Sequence, residues 1–117
     1  MSDANRARPA AAGAGHLPAA DAAAVLRELI GGARPLQRAG AGRPLVSVAV
    51  GEWSVRAGDA TIVFFVDSAS LDHVARMRHD DGREAGFTDW LSRDGCNPIE
   101  LIDEAERLEL EQRLHDL

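Results

Sequence analysis

The sequence is short of residues on which several classes of protein depend. Its 117 residues include one cysteine, Cys96, no lysine, no tyrosine and only five aromatic side chains. A single cysteine excludes an internal disulfide and any zinc or iron–sulfur site built from several cysteines. With so few aromatic residues, the core of one small domain must consist mainly of leucine, valine, isoleucine and alanine.

Long apolar runs are also missing. The densest run, residues 61–66, has the length of a strand and falls far short of the roughly 20 residues of a membrane-spanning helix. Arg6 and Arg8 near the start are not followed by an apolar segment, which is unlike a secretory signal peptide. We therefore expect a cytoplasmic protein that does not use a membrane as a partner.

Charge is distributed unevenly along the chain. Residues 1–58 carry seven arginines and four acids, whereas residues 59–117 carry six arginines and fifteen acids, and the formal net charge is −6. An acidic second half does not suit a nucleic-acid backbone, because phosphate binding requires concentrated positive charge. The balance predicts no nucleic-acid partner and points to basic protein surfaces instead.

Local patterns predict a disordered tail over residues 1–18 and a single α+β domain over residues 19–117. The tail has no periodic apolar signal and could not recover the entropy lost on ordering. Apolar residues at helical spacing predict a helix from Asp21 to Ile30, which the following Gly31 would help to end.

The middle of the chain has the patterns of strands. Val46, Val48 and Val50 alternate as in a strand, and a change of parity near Gly51 indicates either a bulge or a tight turn. Residues 61–66 are apolar on both parities, which is typical of a central strand covered on both faces.

Residues 71–78 fit either a strand or a helix. The strand is favoured because Asp81 and Gly82 suit a hairpin turn that would pair residues 83–87 with it. This hairpin would extend an antiparallel arrangement begun by the earlier strands.

The last part of the chain has helix-start signals. Asn97 and Pro98 predict one helical turn, and the capping pattern from Asp103 to Glu106 predicts a last helix that reaches Leu117. The expected architecture is an N-terminal helix, an antiparallel meander of three to four strands, and C-terminal helices packed on one sheet face.

Few residues suggest chemistry. The sequence has no phosphate loop, dinucleotide fingerprint or hydrolase motif, so we expect neither an enzyme nor a cofactor. The cluster of potential metal ligands consists of His73, His79, Asp80 and Asp81, which would not converge from a strand without help from the turn. Cys96 precedes a helix start, but no local pattern supplies it with a base, and its role stays open.

The last helix has apolar residues on two sides. Leu110, Leu114 and Leu117 lie within about 60° of one another, whereas Ala105 and Leu108 project from nearly the opposite side. Either one side packs inward while part of the helix frays, or the leucine stripe is an association surface for a partner helix or a second copy. The predicted partner-binding residues are Leu110, Leu114, Leu117, Glu106 and Arg113.

From about residue 20 onward, the order of features resembles a family of small proteobacterial proteins described only as a domain of unknown function. The features that carry the likeness are Gly58-Asp59, residues 62–67, residues 71–74, Asp81-Gly82-Arg83, Trp90, Asn97-Pro98 with Leu101, and a last helix rich in leucine and glutamate. The resemblance implies one cytoplasmic α+β domain and supplies no activity.

Two functions are compatible with these patterns. The first is a small acidic, non-enzymatic protein-binding or regulatory module that engages a basic partner or forms a homodimer through its last helix. The alternative is a small metal-dependent binder or enzyme that uses His73, His79 and the nearby aspartates.

Overall fold

The computed structural model describes residues 15–39 and 43–117, which form an α+β fold around a six-stranded mixed sheet. The elements in chain order are β1 (Gly15–His16), α1 (Ala19–Ile30), β2 (Leu36–Arg38), β3 (Val50–Ala57), β4 (Ala60–Asp67), β5 (Ser70–His79), β6 (Arg83–Gly86), α2 (Phe87–Asp89) and α3 (Glu104–His115). A π-helical turn, Trp90–Asp94, continues α2, and two 3-10 helices span Leu45–Ser47 and Pro98–Leu101. None of the helices described is long and apolar enough to cross a membrane.

The strand order is β1-β6-β5-β4-β3-β2. The four central strands follow one another along the chain and pair antiparallel, as a meander does. Two short edge strands enlarge the sheet beyond the three to four strands expected: β2 pairs antiparallel with β3, and β1 pairs parallel with β6. Tight turns at Gly58 and Gly82, both with positive φ, join neighbouring strands of the meander.

Residues 15–18 belong to the fold, so the prediction of a disordered tail is wrong over these four residues. Leu17 is fully buried, and its carbonyl accepts a hydrogen bond from the indole Nε1 of Trp90 at 2.9 Å. The backbone N–H of Leu17 donates to the carbonyl of Glu84 at 3.1 Å. The helix α1 starts at Ala19, two residues before the predicted start. The remainder of the predicted tail, residues 1–14, lies outside the described residues.

The valine-rich stretch before β3 is not the expected strand. Residues 45–47 form a 3-10 helix, which buries Leu45 and leaves Val46 71% exposed. The strand β3 begins only at Val50. By contrast, the favoured strand over residues 71–78 is confirmed as part of β5, and β6 pairs back onto it as the hairpin signal predicts.

The hydrophobic core lies on one face of the sheet only. The helices α1 and α3 and the 3-10 helix at residues 98–101 contribute to it from one side. The side chains that the sheet contributes to the core alternate along β3 and β4 and are three residues apart along the bulged β5; they are Trp53, Val55, Ala57, Ile62, Phe64, Val66, Leu71, Val74, Met77 and, from β6, Ala85. The residues of the other parity on β4, including Val63 and Phe65, are not part of this cluster. The prediction that β4 is covered on both faces is confirmed for the face that carries Phe64, whereas on the other face Val63 is only 7% exposed and Phe65 is partly buried.

Candidate functional site

The two histidines of the predicted ligand cluster lie on opposite faces of β5. His73 is paired with Phe65, on the side away from the core. His79 is paired with Ala60, is only 8% exposed, and has its Nδ1 3.9 Å from a carboxylate oxygen of Asp59. Because six residues of strand separate them and their faces differ, the two imidazoles cannot bind one ion.

The two aspartates of that cluster are engaged in the turn. Asp80 forms an ion pair with Arg56, and the hydrogen bond from this guanidinium lowers the pKa of the Asp80 carboxyl. Asp81 accepts the backbone N–H of Arg83 at 3.0 Å and its Nε at 3.1 Å, and these contacts lower the pKa of Asp81. Within residues 15–39 and 43–117, no group of three or more His, Cys, Asp or Glu side chains could hold a metal ion.

The leucine stripe of α3 is the inward face of the helix. Leu110 and Leu114 are fully buried in the core, and Leu117 packs against it. The two flanking residues also lie against other parts of the chain. Glu106 accepts a hydrogen bond from Nε of Arg27 at 3.1 Å. The guanidinium of Arg113 lies beside Gly32, where a Cβ would be 3.7 Å from its Nη2. In this fold Leu110 and Leu114 are not available to a partner, so their predicted role as an association surface is wrong.

The sheet surface opposite α1 and α3 is called the open face here. Its central strands place side chains in cross-strand rows, with one residue each from β3, β4 and β5. The rows are Arg56–Thr61–Arg78, Ser54–Val63–Arg76 and Glu52–Phe65–His73. The open face therefore has an apolar centre on β4 with polar and charged residues on both sides.

Two irregularities in β5 shape one end of the open face. The pairing of β4 with β5 shifts between Val63 and Phe64 and again between Phe65 and Val66. Ten residues of β5 thus oppose eight of β4, so Asp72 and Ala75 have no direct partner. Bulges of this kind bend a strand and re-aim its side chains.

An aromatic stack occupies the same end. The His73 ring lies parallel to the Phe65 ring, with centroids 5.1 Å apart and an interplanar angle of 6°. The Phe87 ring, from the first residue of α2, has its centroid 4.5 Å from that of the imidazole and is tilted by 49° to the plane of the imidazole. Asp72 Oδ2 lies 2.9 Å from His73 Nδ1 and fixes the orientation of the ring. Phe87 is nonetheless 40% exposed, so the stack ends in an apolar surface in contact with water.

A groove of about 500 Å³ lies beside this stack, over β5 and β6. Thr61 and Val63 are among the residues that line it, and Arg76 and Arg78 line it from β5. Glu84, Gly86 and Asp89 line it from the β6 side. A Cβ added at Gly86 would lie 3.4 Å from the carbonyl oxygen of Ala75 and 3.9 Å from Oδ2 of Asp89, so the glycine keeps this part of the groove wide.

The charges around the groove are not compensated equally. Arg76 reaches across β4 and donates from Nη1 and Nη2 to the two carboxylate oxygens of Glu52, at 3.0 Å each. Asp89 accepts the backbone N–H of Gly86 at 3.0 Å. Neither Asp89 nor Glu84 forms an ion pair with any residue in the described part of the chain, and the same is true of Arg78. The β6 side of the groove therefore carries two carboxylates that no cationic side chain of the described residues neutralises.

The sequence patterns do not mark the residues of this surface as a site. Residues 61–66, which include Phe65, have the pattern of a covered strand, and residues 83–87 have only that of a hairpin partner. A signal was present in the flanking strand β3, because Glu52, Ser54 and Arg56 alternate there with Trp53, Val55 and Ala57. That alternation indicates that one face of the sheet is polar along β3 and is therefore not covered by the core helices.

The family described as Domain of unknown function (DUF7693) matches residues 16–116, and the chain therefore belongs to that family. No match was found among curated proteins or among solved structures.

Proposed function

The family to which the chain belongs is described as a domain of unknown function, and we propose that this member is a small acidic, non-enzymatic protein-binding module whose partner occupies the open face. The observation that carries this proposal is that the core helices cover one face of the sheet, while the other face holds a half-buried aromatic stack beside a groove.

An uncovered apolar surface supports a binding role. Phe87 is 40% exposed, and Phe65, which stacks on the same histidine, is partly buried on the open face. Contiguous exposed apolar groups rimmed by polar residues are characteristic of surfaces that bind other proteins. Burial of aromatic side chains is also the contribution that most often dominates the energy of such interfaces.

The polar groups of the open face favour recognition over catalysis. Arg76 is paired with Glu52, and His73 is held by Asp72 and contacts two phenyl rings. These contacts fix the shape and charge of the surface, as binding requires. The alternative of a metal-dependent binder or enzyme built on His73 and His79 receives no support, because the two side chains lie on opposite faces of β5.

Site-specific photo-crosslinking tests the proposal in cells of the native host, in the cytoplasm where we expect the protein to act. A benzophenone amino acid replaces Phe87 in one variant and Leu108, which is 60% exposed on α3, in the control variant. We expect a discrete protein adduct from position 87 and none from position 108. An adduct confined to position 108, or none from position 87, would contradict binding through the open face.

A further inference from the structure

We propose that the groove over β5 and β6 takes an extended segment of a basic protein, with an arginine or lysine side chain of that segment against Glu84 and Asp89. This inference rests on the proposed function, because it names the chemistry of the partner that the open face binds. It adds a position for the cationic group of the partner and a path for the partner segment along the groove.

Charge is the first argument for a basic segment. The two arginines on the β5 side differ, since Arg76 is neutralised by Glu52 and its guanidinium points toward β3. On the β6 side, Glu84 and Asp89 have no cationic partner among residues 15–39 and 43–117. With Arg78 as the remaining unpaired cation, the groove has a local excess of negative charge, of the same sign as the net charge of −6 on the whole chain.

The shape of the groove is the second argument. It follows the cross-strand pairs Arg78–Glu84 and Arg76–Gly86, and the next residue after Gly86 is Phe87, which belongs to the aromatic stack. Because a strand rises roughly 3.3 Å per residue, this path accommodates about four residues of an extended chain. Alternate side chains of such a segment would point toward the groove, so one cationic residue could meet Glu84 and Asp89.

The ring of Phe87 offers a second contact for the cationic group of the partner segment. A guanidinium or ammonium group that lies over an aromatic face gains electrostatic attraction in addition to that from nearby carboxylates. The exposed ring of Phe87 is on the first residue of α2, and Asp89 is the last residue of the same short helix. An acidic peptide or a nucleic-acid backbone would instead place its anions against Glu84 and Asp89, and such like-charge contacts disfavour binding.

A peptide titration monitored by NMR on the ¹⁵N-labelled full chain tests the inference. The probe is a seven-residue peptide with arginine at two alternate positions and threonine or valine elsewhere, and the control peptide carries citrulline, which is neutral and has almost the same shape, in place of arginine. We expect the arginine peptide to shift the amide signals of Glu84, Gly86, Phe87 and Asp89, and the citrulline peptide to bind several-fold more weakly.

A matched pair of protein variants separates local recognition from general attraction between opposite charges. The double variant Glu84→Gln with Asp89→Asn removes both groove carboxylates and keeps oxygens that can accept hydrogen bonds. The control variant Glu104→Gln with Glu109→Gln removes two charges from exposed positions on α3. We expect the groove variant to weaken arginine-peptide binding about fivefold, the size expected for two exposed ion pairs, and the control variant to leave it unchanged.

The remaining outcomes overturn the inference. Equal binding of both peptides, equal loss in both variants, shifts confined to α3, or no binding would each contradict a basic segment in the groove. Self-association that light scattering detects, and that the groove variant abolishes, would assign the groove to a second copy. If the yield of the crosslink from position 87 is the same in the groove variant as in the original chain, the proposed function survives while the basic segment does not.

Discussion

Phe64 and Phe65 are neighbours on β4 and have opposite surroundings. Phe64 is fully buried in the core, whereas Phe65 is half-buried on the open face, stacked on His73. Both residues are phenylalanine, and they are adjacent in the chain. The difference in their exposure therefore comes from what packs over each face of the sheet. An apolar strand alone therefore does not reveal whether one or both of its faces are covered.

The same comparison applies to α3. Leu110 faces the sheet and is fully buried, while Leu108 lies on the other side of the helix and is 60% exposed. The inward face explains the stability of the helix in this fold. We therefore propose the open face, where Phe87 is 40% exposed, rather than the leucine stripe as the binding surface.

The largest effect is expected from placing charge on the inward face of α3. The double variant Leu110→Glu with Leu114→Glu should unfold the domain, because each substitution buries a carboxylate without a partner. Leu108→Glu, the control, should leave the fold and the melting temperature nearly unchanged. Circular dichroism with thermal melts measures both. A folded double variant would mean that the stripe is not core.

The two phenylalanines should differ in their effect on stability. Phe64→Ala should lower the free energy of unfolding by about 3–5 kcal/mol through lost burial and a cavity. Phe65→Ala should cost about 1 kcal/mol, because only part of its surface is removed from water. Urea denaturation of both variants provides the comparison. Equal losses would indicate that the open face is packed as closely as the other one.

Asp94 links the N-terminal segment to the turn after α2 and should make stability depend on pH. The hydrogen bond from the Ala19 N–H, at 2.6 Å, is the main cause that lowers the pKa of Asp94, and His16 adds to it. Since the folded pKa lies below the unfolded value, the charged form stabilises the fold above the unfolded pKa, about 3.9. That stabilisation is lost as the pH falls through the folded pKa.

Asp94→Asn isolates this contribution. The variant should be less stable than the original chain at pH 7, and the difference should shrink as the pH falls below about 4. Urea midpoints at several pH values measure it. A stability difference that is independent of pH would show that the charge of the Asp94 carboxylate does not stabilise the fold.

The smallest effect is expected at the ion pair across the open face. Both Arg76 and Glu52 are about half exposed, and exposed pairs contribute about 0.2–1 kcal/mol. A double-mutant cycle with Arg76→Ala and Glu52→Ala should give a coupling energy in that range, reduced further by high salt. A much larger coupling would indicate that this part of the open face is shielded from solvent.

Much of the fold could be predicted where the signal is local. The amphipathic pattern of α1, the hairpin signal at Asp81 and the capping residues Asn97 and Asp103 each specify a nearby backbone conformation, and the structure contains all four elements. Asn97 additionally joins its helical turn to β5, since its side chain exchanges two hydrogen bonds with the backbone of Val74.

Features that depend on distant residues could not be predicted in the same way. The edge strands β1 and β2 have two and three residues, too few to show a period of two. The bulges in β5 arise from its pairing with β4 and leave no pattern in the sequence of β5. The inward side of α3 depends on which helix face meets the core, which the spacing of its leucines does not specify.

The most direct test of the two faces of the sheet is the exposure of their side chains to a soluble paramagnetic agent, measured by NMR relaxation with and without the arginine peptide. In the free protein, the ring signals of Phe65 and Phe87 should relax faster on addition of the agent, while those of Phe64 should be little affected. The peptide should then protect Phe87. Protection of Phe65 and Phe87 equal to that of Phe64 in the free protein would contradict an open face that is available to a partner.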